Sequence, residues 1–396
     1  MTAVRTAVIV DVVRTPSGRG KPGGALSGVH PVDLAAGVLR AVIERNGIGS
    51  GEVDDVLLGC VSQVGEQSAN IARQAVLAAR FDESVPGSTI DRQCGSSQQA
   101  VHAAAQAIMA GAADVVIAGG VESMSRVPLG VSATVAGSPL SPLLRERYPE
   151  GLVGQGVSAE LIAARWELGR DRLDAFAAQS HRRAAEAASA GFFDAQLVPV
   201  QTDAGIVAAD ETIRPGTSVA SLATLPPAFR TDAMAERFPA LAWHITAGTS
   251  SPLTDGASAA LIMSEEAAAA RGLTPRARFH AFAVVGDDPL LMLTGPIPAT
   301  RRILERTGLS IDDIDAYEVN EAFASVPLAW AAELGADPER LNPRGGAIAL
   351  GHALGSSGTR LLGTLLAHLE ATGGRYGLQT MCEGGGMANA TLIERL

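Results

Sequence analysis

The sequence LAAGVLRAVIERNGIGSGEVDDVLLGC at residues 34–60 is matched later in the chain by ATRRILERTGLSIDDIDAYEVNEAF at residues 299–323. Each stretch has the apolar spacing of an amphipathic helix, a glycine stop at Gly47 or Gly308, an acidic turn and a β-rich segment. Two such units far apart in one chain indicate an internal duplication. The sequence therefore predicts an α/β fold with two similar halves.

A second pair of similar units follows in the same order. Residues 88–123 have the pattern of a short strand, a turn at Cys94, a helix and another strand. Residues 345–393 have a strand-like AIAL at 347–350, then a turn at His352, a helix and a further strand. Duplicated βαβ-type halves predict pseudo-symmetric layers with a site between them.

The segment between the halves, about 124–252, differs in composition. It begins with proline-rich loops and continues with helical stretches. An insertion of this length is too long for a simple connection and usually carries function. An added structural subdomain is the alternative interpretation of the composition alone.

The bulk composition favours an acidic α/β enzyme. The chain has 396 residues, of which 47% are hydrophobic and 4% aromatic, and its formal net charge is −11. No basic stripe stands out, so we expect no nucleic-acid partner. Three cysteines, an odd and sparse count, favour a reducing compartment over a disulfide framework. Neither a long uncharged apolar stretch nor a signal-peptide pattern is present, so we expect a cytoplasmic protein without a membrane partner.

Two cysteines lie in surroundings suited to catalysis. Cys94 follows a short β-like stretch and precedes a helical run, where the positive end of the helix dipole favours a thiolate. Cys382 precedes three glycines, whose backbone N–H groups are able to stabilise an anion. A buried core cysteine and an ordinary tight turn are the respective alternatives.

Polar residues also follow apolar segments in the second half. His352 comes after AIALG, which predicts that its imidazole lies at the carboxyl end of a strand, where open α/β sheets bind ligands. Asn320 and Glu321 follow the β-like stretch 316–319. A structural histidine and a helix cap are the competing interpretations. No cysteine or histidine pair has zinc-like spacing, so we expect no metal.

Four of these blocks together resemble the thiolase family. They are RQCGSSQQA around Cys94, NEAFA from Asn320, GGAIALGHALGSSG around His352 and CEGGGM from Cys382. They occur in the family's order and spacing across essentially the whole chain. The resemblance implies the thiolase fold, with duplicated βαβ-type halves in a five-layered α-β-α-β-α arrangement and an inserted loop domain. The implied domains are an N-terminal half at 1–123 plus 253–274, a CoA-binding loop domain at 124–252 and a C-terminal half at 275–396.

The resemblance also implies a role for each reactive residue. Cys94 matches the nucleophile that takes the acyl group. His352 matches the residue that activates this thiol and contributes to a first oxyanion hole, in which Asn320 would hold a water. Cys382 matches the acid/base at the α-carbon of acetyl-CoA. The backbone N–H groups of Cys94 and Gly384 match a second oxyanion hole.

Coenzyme A is the implied co-substrate, and the resemblance implies no prosthetic group. Family members are dimers or tetramers, so we expect a homodimer or homotetramer that binds acyl-CoA and CoA. The positions that match CoA contacts are Arg214, Ser221, Ala228 and Phe229 on the nucleotide side, Ser251 beside the pantetheine, and Met292 and Phe323 near the reactive end.

Two segments depart from the family's pattern. Gly154-Gln155-Gly156 stands where many members have His-Met-Gly, which removes an apolar wall near the acyl pocket, and Ala353 stands where they have proline. The likeness is closest to degradative thiolases acting on bulky acyl chains, including steroid side chains. We therefore expect thiolytic cleavage of a 3-ketoacyl-CoA by CoA. A biosynthetic acetoacetyl-CoA thiolase and a non-catalytic lipid-binding relative are the alternatives, whereas a decarboxylating condensing enzyme would generally lack Cys382.

Overall fold

The structure is a computed structural model that describes residues 5–135 and 137–396. Within them, the strands form one large mixed sheet of ten strands and a separate two-stranded hairpin. The strands are β1 (Ala7–Arg14), β2 (Gly18–Arg19), β3 (Asp55–Gly59), β4 (Gly87–Ile90), β5 (Val115–Ser123), β6 (Val200–Thr202), β7 (Gly205–Val207), β8 (Thr254–Ser264), β9 (Ala277–Gly286), β10 (Ala316–Val319), β11 (Tyr376–Glu383) and β12 (Met387–Arg395).

The helices cover both faces of the large sheet and much of the segment between the halves. They are α1 (Pro31–Asn46), α2 (Ile71–Ala78), α3 (Ser96–Met109), α4 (Pro142–Arg147), α5 (Gln155–Arg165), α6 (Arg170–Ser189), α7 (Val219–Ala223), α8 (Asp232–Arg237), α9 (Glu265–Ala270), α10 (Pro296–Thr307), α11 (Ser325–Leu334), α12 (Ala347–Leu350) and α13 (Ser357–Thr372).

The strand order repeats, as the duplicated sequence predicts. The sheet runs β10-β11-β12-β9-β1-β8-β5-β3-β4. The run β3-β5-β8-β1 therefore mirrors the run β10-β11-β12-β9, and in both runs the outer pair is parallel and the next pair antiparallel. The halves join at β1 and β9, where only Val8 and Ile9 pair with Arg278 and Ala277. Both repeated helices end at a left-handed glycine, Gly47 with φ 62° and Gly308 with φ 71°.

Five layers result from packing helices on both faces of each half-sheet. The helices α3 and α13 pack against each other between the two half-sheets and form the middle layer. The helices α1 and α2 cover the outer face of the first half, and α10 and α11 cover that of the second. This arrangement is the one that the family resemblance implies.

The side chains of strand β1 pack into two different hydrophobic cores, one on each face of the sheet. Val8 and Val10 belong to the outer core with α1, whereas Ala7, Ile9 and Val12 belong to the inner core with α3 and α13. Side chains of a strand alternate between its two faces, so a run of apolar residues is needed where both faces are covered. A bulge between Ile9 and Asp11 shifts this alternation by one position.

The prediction of a strand at AIAL is wrong. Residues Ala347–Leu350 form the single helical turn α12, in which the amide of Leu350 donates to the carbonyl of Gly346. A short, fully buried apolar run has no periodicity that separates a strand from a helical turn. His352 therefore follows a helical turn and the positive-φ Gly351 rather than the end of a strand.

The middle segment contains α4 to α8 and the β6–β7 hairpin. That residues 124–252 form a separate domain, and that this domain binds CoA, stays a prediction. Of the helices in the described ranges, none is both long and apolar enough to span a bilayer.

The two halves approach each other through glycines. A Cβ atom on Gly120 of β5 would overlap the carbonyl oxygen of Gly355, in the turn that follows His352. A Cβ atom on Gly59, at the end of β3, would lie 2.7 Å from the same carbonyl oxygen. The turns that carry the candidate catalytic residues reach the sheet because these positions have no side chain.

We expect Gly120→Ala to destabilise the protein by about 3 kcal/mol or more, because the methyl group has only buried backbone to displace. Urea unfolding measures this loss. The matched control is Gly37→Ala inside α1, where an added Cβ meets no atom within 4 Å. That change should stabilise the helix by about 0.5–1 kcal/mol. Equal unfolding midpoints for wild type and Gly120→Ala would contradict the close-approach argument.

Candidate active site

The candidate nucleophile and imidazole face one cavity of about 510 Å³. Residues from turns of both halves and from the middle segment line the cavity. Its lining residues are Gln93, Cys94, Met124, Leu129, Gly154, Gln155, Gly156, Phe229, Ser250, Ser251, Leu253, Ala322, Phe323, His352 and Leu354.

Cys94 is presented by a tight turn between β4 and α3. The residue before it, Gln93, has a left-handed backbone with φ 49°, and the side chain of Asp91 accepts the Gln93 amide at 2.7 Å. Non-glycine residues in this region are strained and occur disproportionately at functional sites. Helix α3 begins two residues later at Ser96. The thiol is thus near a helix N-terminus, as the sequence predicts.

The prediction that Cys94 is a thiolate in the resting protein is wrong. Burial, with smaller contributions from the carboxyl groups of Glu383, Glu122 and Asp91, raises the pKa of Cys94 to about 12. A helix dipole contributes about 0.3–1 kcal/mol, and desolvation of a buried thiolate outweighs it here. The resting thiol is therefore neutral, and a base has to take its proton.

The hydrogen bonds of His352 make its imidazole suitable as that base. Its Nδ1 lies 2.7 Å from the hydroxyl of Ser357, which itself donates to the carbonyl of Ala353 at 2.8 Å. The hydroxyl proton is used in the second bond, so we assign the Nδ1 proton to the first and leave a lone pair on Nε2. Burial, followed by the positive charge of Arg360, lowers the pKa of His352 to about 3. The ring is neutral in the resting protein.

The turn that carries His352 is fixed by two further groups. The amide of His352 donates to the hydroxyl of Thr254 at 2.9 Å. The buried carboxylate of Glu122, in β5, accepts the amide of Gly355 at 2.9 Å and the amides of Val61 and Ser62. One carboxylate therefore ties the turn after β3 to the turn after His352, which come from different halves.

Asn320 and Cys382 complete the buried group. The Nδ2 atom of Asn320 lies 3.5 Å from Nε2 of His352, and the Asn320 side chain also hydrogen-bonds to Cys382. Burial and the nearby Cys94 raise the pKa of Cys382 well above its usual value, and this hydrogen bond partly opposes the rise. The two cysteines, Asn320 and His352 are all at most 4% exposed. Four residues that are distant in the chain thus converge beside one cavity.

The glycine turn after Cys382 lies against the turn that carries Cys94. A Cβ atom on Gly384 would be 3.0 Å from Oε1 of Gln93, the residue before the nucleophile. Gly385 and Gly386 have φ values of 84° and 77° and connect β11 to β12. The position of Gly384 is compatible with its proposed backbone role opposite Cys94.

The predicted CoA contacts divide into two groups. Phe229, Ser251 and Phe323 line the cavity, and the two phenyl rings meet edge to face with centroids 5.6 Å apart. The hydroxyl of Ser251 donates to the carbonyl of Ala322 at 3.2 Å. The other positions lie outside the cavity lining, with Met292 buried in the core cluster of Cys382, and Arg214, Ser221 and Ala228 exposed.

Several residues of the site were missed by sequence reasoning. Ser357 lies five positions after His352, and its hydroxyl could have been considered as a partner for the imidazole. Glu122 gave no signal, because one acidic residue at the end of an apolar strand has many possible uses. Apolar lining residues such as Met124, Leu129 and Leu354 look like ordinary core or loop residues in the sequence. In the part of the chain that is described, no group of three His, Cys, Asp or Glu side chains could hold a metal ion.

Comparisons with known proteins point to one family across the chain. Two family models match, "Thiolase, N-terminal domain" at residues 7–266 and "Thiolase, C-terminal domain" at residues 273–395. The steroid 3-ketoacyl-CoA thiolase FadA6 of Mycobacterium tuberculosis is 48% identical over 397 residues, covering 98% of this chain and 94% of that protein. The 3-ketoacyl-CoA thiolase of Serratia proteamaculans is 46% identical over 402 residues, covering 99% of this chain and 100% of that protein.

The fold expectation is confirmed by a solved structure. The crystal structure of the Bacillus anthracis acetyl-CoA acetyltransferase superposes with a TM-score of 0.89 and 38% sequence identity, covering 100% of both chains. Because both family domains and relatives of the same length match from one end of the chain to the other, this protein belongs to the thiolase family.

Proposed function

We propose that this protein cleaves a 3-ketoacyl-CoA with CoA, giving acetyl-CoA and a shortened acyl-CoA through an acyl-Cys94 intermediate. The observation that carries the proposal is the convergence of two buried thiols, one neutral imidazole and one amide beside the same cavity. Two sulfurs near a shared base suit a reaction that needs both a nucleophile and a separate acid/base.

In the first half-reaction, Nε2 of His352 takes the proton of Cys94 as its sulfur attacks the 3-keto carbon. The bond between C2 and C3 of the substrate then breaks, and its electron pair leaves as the enolate of acetyl-CoA. The thiol of Cys382 protonates C2 of this enolate, which releases acetyl-CoA. The shortened acyl group stays on Cys94 as a thioester. Covalent capture of this kind divides one difficult exchange into two easier steps.

In the second half-reaction, the thiol of free CoA attacks the acyl-Cys94 carbonyl. The thiolate of Cys382 accepts the CoA proton, Cys94 leaves, and the shortened acyl-CoA is released. Protonated His352 returns its proton to the departing Cys94 sulfur. Both cysteines and the imidazole regain their resting protonation, so the cycle closes without any other reagent.

Negative charge develops on two different oxygens in these steps. The 3-keto oxygen becomes an oxyanion on the carbon that bonds to Cys94, and we assign it to the backbone N–H groups of Cys94 and Gly384. The thioester oxygen of acetyl-CoA becomes negative in the enolate, and we assign it to His352, protonated at Nε2, and to a water held by Asn320. Removing one such donor typically lowers the rate by about 10²–10³-fold.

We assign the CoA co-substrate to the side of the cavity formed by the middle segment. Ser251 lines the cavity and suits the pantetheine end, which is partly apolar. Phe229 also lines the cavity, so we assign it to the pantetheine rather than to the nucleotide side that the resemblance implies. The exposed Arg214 suits the phosphates of the nucleotide, since the chain carries a formal net charge of −11 and needs a local cation for an anionic ligand. The exposed Ser221 and Ala228 belong to the same nucleotide-side assignment.

The substrate class is a bulky acyl chain, such as a long fatty acyl chain or a steroid side chain. Gly154, Gln155 and Gly156 line the cavity, so backbone and one polar side chain stand where the family's apolar wall would be. A Cβ atom added at Gly154 would meet no atom within 4 Å, so this wall of the cavity has open space. The names of relatives such as the steroid thiolase of Mycobacterium tuberculosis support the same class.

A biosynthetic role, condensing two acetyl-CoA molecules, is the second candidate. It is favoured by the likeness to a solved acetyl-CoA acetyltransferase. The same residues catalyse both directions, so substrate range separates the two. The proposal also includes a homodimer or homotetramer in the cytoplasm, where the three free cysteines would stay reduced.

The direct test follows the loss of 3-ketoacyl-CoA absorbance after free CoA is added. Substrates of four carbons, of long chains and with a sterol side chain are compared. We expect turnover of the bulky substrates. Activity confined to four carbons would favour the biosynthetic role, and no turnover of any substrate would contradict thiolase function.

We expect Cys382→Ser to separate the two chemical roles. A hydroxyl is a much weaker acid than a thiol and does not ionise near neutral pH, so cleavage of 3-ketoacyl-CoA should fall by about 10³-fold or more. Acylation of Cys94 by a simple acyl-CoA should continue slowly, as measured by mass spectrometry. Equal loss of both steps would contradict the role of Cys382 as the acid/base at C2.

We expect Ser357→Ala to lower kcat by about 10–100-fold with little change in KM, because the imidazole of His352 loses the acceptor that fixes its tautomer. Steady-state kinetics over the pH range measures both constants. Ser356→Ala is the matched control, since among the described residues the Ser356 hydroxyl hydrogen-bonds only to the Ala353 carbonyl, at 3.5 Å. Similar kcat values for the two variants would contradict the role of Ser357 in fixing the tautomer of His352.

We expect Gly154→Leu to lower kcat/KM for the sterol substrate by about 100-fold and to change acetoacetyl-CoA turnover by less than about threefold. The leucine fills space that only a bulky chain needs. Gly156→Ala provides the contrast, because its Cβ would overlap the Phe229 ring and should impair both substrates. Equal losses for short and bulky substrates in Gly154→Leu would contradict the assignment of this wall.

A further inference from the structure

A buried carboxyl group and a buried amide lie against the glycine that follows the nucleophile. Glu383, the last residue of β11, is fully buried, as is Asn389 of β12. A Cβ atom on Gly95 would overlap Oε1 of Glu383 and would lie 2.9 Å from Oδ1 of Asn389. Within the described residues, neither carboxyl oxygen of Glu383 nor Oδ1 of Asn389 has a hydrogen-bond partner.

Acceptors that face one another in a buried space need a donor. A buried acceptor without a donor costs about 1–3 kcal/mol, and more if it is charged. The Nδ2 atom of Asn389 is already used, because it donates to the carbonyl of Gly95 at 3.0 Å. A proton on Glu383 would supply the missing donor and would remove the buried charge at the same time.

The charged and titratable neighbours of Glu383 come from two parts of the chain. Cys382 precedes it in β11. Asp91, Arg92 and Cys94 lie in the segment between β4 and α3. Burial raises the pKa of Glu383 to about 8; the positive charge of Arg92 opposes this rise, and the carboxyl group of Asp91 adds to it. Below that pH, the group is mostly a neutral carboxylic acid.

We propose that Glu383 is a positioning residue that works as a neutral acid, donating to Oδ1 of Asn389 and keeping negative charge away from both active-site thiols. Asn389 in turn holds the carbonyl of Gly95, directly after the nucleophile. This inference rests on the proposed thiolase chemistry at Cys94 and Cys382. It adds a carboxyl group whose charge controls when those thiols are able to ionise.

The sign of the pH effect follows from the charges. An ionised Glu383 raises the pKa of Cys94 and also that of Cys382, so it disfavours both thiolates. As pH rises through about 8, Glu383 loses its proton and turnover should fall. An isolated thiol behaves in the opposite way, since its thiolate fraction and its reactivity rise with pH.

The test compares wild type with Glu383→Gln, whose amide keeps a donor for Asn389 but cannot ionise. Near pH 7, kcat/KM should agree within about threefold. At pH 9, wild type should have lost about tenfold of its activity, as expected one pH unit above a controlling group, whereas the variant should lose little. The control is Glu318→Gln, another fully buried carboxyl whose pKa burial raises to about 8. Its profile should match wild type.

A second readout does not require turnover. Alkylation of Cys94 by iodoacetamide, followed by peptide mass spectrometry, should rise more steeply between pH 7 and pH 9 in Glu383→Gln than in wild type, by about fivefold. Identical alkylation profiles would overturn the role of Glu383 even if thiolase activity is found. Conversely, the expected alkylation difference without any thiolysis would overturn the proposed function and leave the protonation state of Glu383 supported.

A third measurement remains decisive if Glu383→Gln does not fold. Difference infrared spectroscopy of the Glu318→Gln protein should show a protonated-carboxyl band at pH 7 that disappears by pH 9. No such change would overturn the proposal.

Discussion

The structure depends on the close approach of two backbone turns that come from different halves of a duplicated chain. Gly120 and Gly355 are in backbone contact, and Gly358 meets the backbone of Gln98 in α3 with no room for a side chain. Because these contacts are between main chains, the positions of Cys94 and His352 do not depend on flexible side-chain packing. The buried Glu122 carboxylate adds hydrogen bonds across the same junction. Duplication supplies the two turns, and the absence of side chains at the junction allows them to form one site.

The depth at which the site is buried determines its chemistry. Desolvation favours the neutral form of each group, so both thiols and the imidazole are neutral in the resting protein. Such a site cannot rely on a preformed thiolate, and each charge has to be created by proton transfer at the moment of reaction. Asn320, which contacts both His352 and Cys382, lies between the two groups that we propose as proton carriers. The same low-dielectric surroundings strengthen every hydrogen bond to a developing oxyanion.

The sequence was sufficient for the parts of the fold that repeat. The matched helix, glycine and strand patterns around Gly47 and Gly308 predict the two halves, because periodicity and stop signals are local properties. The motifs also predict that Cys94, Asn320, His352 and Cys382 come together, and the structure brings them beside one cavity, whereas their catalytic roles stay predictions. The run AIAL was misread as a strand, since four buried apolar residues have the same pattern in either conformation. The pKa of Cys94 was predicted in the wrong direction because burial is a property of the assembled fold and is invisible to local motifs.

The most direct measurement of the central claim is peptide mapping of the acyl-enzyme. The protein is mixed with a 3-ketoacyl-CoA in the absence of free CoA, quenched in acid and digested, and each cysteine peptide is weighed. The account predicts the shortened acyl group on Cys94, with one acetyl-CoA released per acyl group bound. An acyl group on Cys382 or Cys60, or thiolysis that proceeds with no acyl-cysteine at all, would contradict it.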